Sequence, residues 1–133
     1  MELETAALRQ KEGNAAAAVV VCGDFNTTPD QPACVVMRKS GFCSTWEEAG
    51  AVLPDDVFST WKFRPAGEKR SLIDYVWWQP GEHVLYLTDV WSMPREEDIG
   101  EHGLPCGLYP SDHLAVWARV GWSDRGQQFS GNS

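Results

Sequence analysis

The chain has 133 residues, is 43% hydrophobic and 11% aromatic, and carries a formal net charge of −8. This content supports one domain with a real core and excludes a disordered chain. The acidic balance argues against a broad nucleic-acid surface, which would be basic, but not against a small phosphate site built around a cation, whose ligands are themselves acidic.

In chain order, "ELETAALRQKEGN" predicts a short helix ended by Gly13-Asn14. The apolar run Ala15–Cys22 predicts a strand buried on both faces. It is too short to span a bilayer, and the acidic segment before it lacks the positive charge of a signal peptide. No membrane partner is expected. In "TTPDQPACVVMRKSG", Thr28 caps a helix with Pro29 at its first position and Gln31 closing a capping box; Ala33, Val36 and Met37 face inward and Gly41 ends it. "GFCSTWEEAG" predicts a short helical turn, Thr60 to Phe63 a strand, and "RPAGEK" a turn. "SLIDYVWW" (71–78) and "VLYLTDVW" (84–91) read as strands, 92–110 as a Pro- and Gly-rich loop, and "HLAVWARVGW" as the last strand. Residues 1–122 form the domain and 123–133 a loose polar tail. Cys22, Cys34, Cys43 and Cys106 form no CxxC pair and read as reduced thiols of an intracellular, cytoplasmic protein.

The chemistry gathers in a few polar residues. Asp24 and Asn26 follow the valine strand one residue apart, so in extended chain both project the same way while Phe25 turns to the core. The ordinary alternative is a turn, since Asp and Asn are turn residues. Asp74 lies in a strand, on the face of Leu72 and Val76, where a carboxylate is costly unless paired. Asp112-His113 opens the last strand, and if that strand runs opposite to the first, both motifs reach one rim of the sheet. Asp74 then fixes the His113 tautomer, as an acid does in hydrolytic triads. Lys62, Arg64, Lys69 and Arg70 crowd one hairpin tip; Lys62, Arg64 and Arg70 are candidate phosphate contacts, against the ordinary reading of a solvated turn. The seven Trp read mostly as core, with Trp61 or Trp78 as candidate base-stacking surfaces.

The ordered set "GDFN", "IDYVW" and "YPSDH" resembles the endonuclease/exonuclease/phosphatase superfamily. The flanks "STWKFRPAGEKRSLIDYVWW", "REEDIG" and "LPCGLYPSDHLAVWARV" are most similar to its nocturnin and carbon-catabolite-repressor-type deadenylase group, from about residue 3 to 120. The resemblance implies an α/β fold of α+β type: the C-terminal half of a four-layer α/β/β/α sandwich, with a mixed, mostly antiparallel sheet and helices on one face. It implies that Asp24 positions the attacking water and Asn26 holds it or the phosphate. Asp112 would sit close to the metal, His113 would bond the phosphate or act as acid/base, and Asp74 would orient His113. Mg²⁺, or Mn²⁺, is the implied cofactor; oxygen ligands and the absence of His/Cys clusters suit it. The implied substrates are the 3′ end of poly(A) RNA or NADP(H). The family domain is about twice as long, and its N-terminal half supplies a first Asn and the main metal-ligand Glu. Neither is found here, so the missing N-terminal half is itself an expected partner. The alternative is a catalytically inactive half-domain kept as a binding or assembly subunit.

Overall fold

The computed structural model describes residues 18–48, 57–79 and 84–123. The expected opening helix and most of the polar tail lie outside the described residues.

Strand β1 (Val19–Asp24) pairs antiparallel with β5 (Asp74–Gln79), whose other edge takes the two-residue β2 (Cys43–Ser44). The register sets Val21 opposite Trp77 and Gly23 opposite Tyr75 on one face, and Val20 opposite Trp78, Cys22 opposite Val76 and Asp24 opposite Asp74 on the other. The first face carries the larger core: Tyr75, Trp77, Leu72, Phe42, Trp46, Cys34 and Met37, with Val19, Val21 and Phe25 packed against it. Burying each such large side chain contributes about 1.5–3 kcal/mol. The expectation that β1 is buried on both faces is corrected: Val20 is 52% exposed and Cys22 is exposed, because the cluster packs on the Val19–Val21 side alone.

Helix α1 (Pro32–Lys39) starts later than expected. Pro32, not Pro29, takes the first position, and Gln31 is the N-cap, extended at ψ 162° and without a side-chain cap bond. Two causes are visible. Pro32 disfavours helical backbone at Gln31, and the Thr28 hydroxyl donates to Asp30 Oδ1 at 2.6 Å instead of capping. The inward stripe is therefore Cys34 and Met37, while Val36 is 59% exposed and Ala33 exposed. The C-terminus is as read: Gly41, at φ 82°, donates to Arg38 O and Phe42 to Met37 O, the paired bonds of a Schellman ending. Arg38 then clasps the sheet, bonding Glu47 on the short helix α2 (Thr45–Glu48) and the Pro29 carbonyl, with its guanidinium 5.7 Å from the Trp77 ring centre.

Strands β3 (Thr60–Arg64) and β4 (Gly67–Ser71) form a hairpin with a two-residue tip, tighter than expected. "SLIDYVWW" is not one strand: β4 ends at Ser71 and β5 begins at Asp74. The break at Leu72-Ile73 shifts the alternation, so Leu72 joins Tyr75 and Trp77 in the core instead of sharing a face with Asp74. Strand β6 (Val84–Val90) pairs with β7 (Ala118–Ser123), which starts five residues after His113. The 92–110 loop contains a short helix α3 (Glu96–Ile99), whose Ile99 packs with Leu104, Leu114, Phe58 and Trp61 in a second core. Every described strand pairing is antiparallel, and the few helices are short, an α+β architecture.

Candidate active site

The site lies at the end of the β1–β5 pair, between the two cores. Asp24 is the last residue of β1 and exposed; its Oδ1 accepts the Asn26 N–H at 2.7 Å. Asn26 adopts the left-handed φ of 50°, which Asn tolerates better than most residues. The chain thus turns directly after Asp24, and the extended alternation expected for Asp24 and Asn26 does not hold. A carboxylate-closed turn keeps Asn26 beside Asp24 instead. Phe25 goes inward as read, its N–H donating to Ile73 O at 2.8 Å and its ring 5.6 Å from that of Tyr75.

Asp74 opens β5 directly opposite Asp24 and is 9% exposed. Its two carboxylate oxygens lie 3.0 and 3.2 Å from His113 Nδ1. A carboxylate only accepts, so Nδ1 carries the proton and Nε2 is left for other work. His113 does not arrive on a β7 strand. An isolated antiparallel bridge to Thr60 sets it, and the next residue, Leu114, donates to Ser59 O at 2.8 Å.

One ligand atom each from Asp24, Asp74 and His113 lies within 4.8 Å of the others. This donor set fits a divalent cation in part. Asp24 is exposed and keeps acceptor capacity, which suits a hard, oxygen-seeking ion, whereas Asp74 and His113 already satisfy each other. Asp112 is not in the group. Its Oδ2 is 2.8 Å from Lys62 Nζ, and that hydrogen bond holds its carboxyl below the ordinary carboxylate value.

On the β3–β4 hairpin, Lys62 faces Lys69 across the strands, and Arg64 is exposed with no ion pair among the described residues. Arg70 is engaged elsewhere: it bonds Glu68 and Glu96, and its guanidinium sits 3.9 Å from the Trp61 ring centre. Trp61 and Trp78 are both buried, at 4% and 6% exposure, so neither offers a ring face to a base. Two residues that the sequence reading passed over shape the site. The buried Tyr75 hydroxyl is 2.9 Å from both the Thr27 and Leu72 carbonyls, and burial pushes its phenol far up, so it stays a donor. Ser59, fully buried, bonds the backbone of Asp74.

The sequence profile of the Endonuclease/Exonuclease/phosphatase family matches residues 2–113. The chain belongs to this family. Among its relatives it is 34% identical over 103 residues to nocturnin of Xenopus laevis, 35% to that of Rattus norvegicus and 34% to that of Homo sapiens. These alignments cover 74% of this chain but 26%, 23% and 23% of the relatives. The chain is thus similar to the nocturnins and spans about a quarter of the length of these relatives. The four cysteines are free thiols, and among the described residues no helix is long and apolar enough to cross a membrane.

Proposed function

We propose that this chain carries the C-terminal catalytic residues of a divalent-metal-dependent phosphoester hydrolase of the nocturnin type. The observation that supports it most is the convergence of Asp24, Asp74 and His113 at one end of the β1–β5 pair, with His113 Nδ1 bonded to Asp74. Water attacks phosphorus, the P–O ester bond breaks, and the departing oxygen takes a proton; positioning and electrostatics do most of this. Asp24 orients the water through its spare acceptor capacity, and Asn26 holds the water or a phosphate oxygen. Asp74 fixes the His113 ring so that Nε2 bonds the phosphate or moves the proton.

Mg²⁺, or Mn²⁺, would neutralise charge on the phosphate oxygens when bound. Asp24 would help to hold it, and Asp112, bonded here to Lys62, is the further carboxylate that the family resemblance assigns to it. A complementary half of the domain supplies the remaining ligands, including the Glu that the family resemblance calls for. The substrate is the 3′ end of RNA or NADP(H). The net charge of −8 leans toward the small molecule, and Arg64, exposed and with no ion pair among the described residues, is a hairpin cation left free to meet its phosphate.

The test measures phosphate release from NADPH and AMP release from oligo(A), with and without Mg²⁺, by the natural polypeptide that carries these residues. Mg²⁺-dependent turnover abolished by His113→Ala is expected. Turnover that needs no metal, or that survives His113→Ala, overturns the reading.

A further inference from the structure

We infer that Ser59 is the positioning residue of the Asp74–His113 pair, acting through its buried hydroxyl; its catalytic meaning rests on the function proposed above. Ser59 is 0% exposed and uses every polar atom it has. Its N–H donates to Ser71 O at 2.9 Å, at the end of β4, and its carbonyl accepts from Leu114, the residue after His113. Its Oγ accepts two backbone N–H groups, from Ile73 at 3.0 Å and from Asp74 at 3.1 Å, with Ser71 O a long 3.4 Å away for its own proton. The next residue, Thr60, makes the bridge to His113.

The backbones that carry Asp74 and His113 are thus both referenced to this one residue. The 3.0 Å bond from His113 Nδ1 to Asp74 needs those backbones registered to a fraction of an ångström. The hydroxyl matters here beyond its volume. The Ile73 and Asp74 N–H groups fall at the break between β4 and β5, and without Oγ they are buried and unpaired, so the backbone must move to satisfy them.

The test is long-range ¹H–¹⁵N NMR of ¹⁵N-histidine in the natural polypeptide at fixed neutral pH, beside steady-state kinetics. In the wild type His113 shows the Nδ1–H tautomer. In Ser59→Ala it moves toward the Nε2–H form, and kcat falls about tenfold or more with little change in KM. Ser59→Thr, which keeps the acceptor, retains the wild-type signature. Met37→Ala, a core truncation away from the site, lowers stability without moving the tautomer. A folded Ser59→Ala with the wild-type tautomer overturns the inference.

Amide exchange in the wild type decides the matter should Ser59→Ala not fold. The Ile73 and Asp74 amides should exchange as slowly as the paired amides of β5; exchange at exposed-loop rates overturns the inference. A tautomer shift in a protein that hydrolyses neither substrate upholds the positioning role and refutes the proposed function. Hydrolysis with an unmoved tautomer does the reverse.

Discussion

A carboxylate at the start of a buried strand has to be paired, and His113 is the partner that this fold supplies to Asp74. Asp74→Asn keeps the shape but can present an amide N–H where the ring needs an acceptor. Its expected cost is about 10²–10⁴-fold in kcat with the fold intact, read by kinetics beside circular dichroism. Near-normal turnover would remove Asp74 from the mechanism. Tyr75→Phe tests the other buried anchor. It leaves the Thr27 and Leu72 carbonyls without their donor, so a loss of about 1–3 kcal/mol is expected in chemical denaturation. The Asp74–His113 pairing was legible because an acid in an apolar strand is conspicuous. Ser59 was not, because a lone hydroxyl before an aromatic strand carries no periodic or charge signal, and its partners lie twelve to fifteen residues away along the chain.

Among the elements, the β3–β4 hairpin is held at its side by Arg70, which binds Glu96 at the start of α3. That hydrogen bond holds the Glu96 carboxyl below its ordinary value of 4.5. A depressed folded value means that the contribution is fully present above the ordinary value and is lost as pH falls through the lowered one. Acidification below about 4.5 should therefore loosen this contact, and Glu96→Gln should flatten that part of the thermal-midpoint profile. The two hairpin arginines should separate in the same spirit. Arg64→Ala raises KM about tenfold, or ~1.4 kcal/mol, and leaves the melting temperature in place, while Arg70→Ala lowers the melting temperature. The strands and the Gly41 helix end were legible from hydrophobic runs and turn residues. The boundaries that failed did so for local reasons. Pro32 moved the start of α1, the Leu72-Ile73 break split an apparently continuous strand, and His113 was fixed by a bridge to Thr60 that no local pattern encodes.

At the scale of the whole molecule, the chain corresponds to about a quarter of the relatives it matches, and three small antiparallel sheets carry its described strands. Exposed apolar side chains such as Val20 favour association when they gather in patches. By itself the 133-residue chain is expected to self-associate and to release neither phosphate from NADPH nor AMP from oligo(A). Light scattering beside the two assays checks this, and turnover by a monomer would show that the chain carries a complete site.

The outer face of β1 joins these scales. Val20, Cys22 and Asp24 alternate along it, so an apolar contact, a thiol and the proposed water-orienting acid share one side of one strand. A partner laid along the whole of this face would withdraw water from around Asp24 as it covered Val20, so the burial of the strand and the electrical setting of the acid would change together. Cys22 stands between them as a built-in reporter: its alkylation should be fast while that face is bare and should slow sharply once it is covered, giving the occupancy of the face without any introduced label.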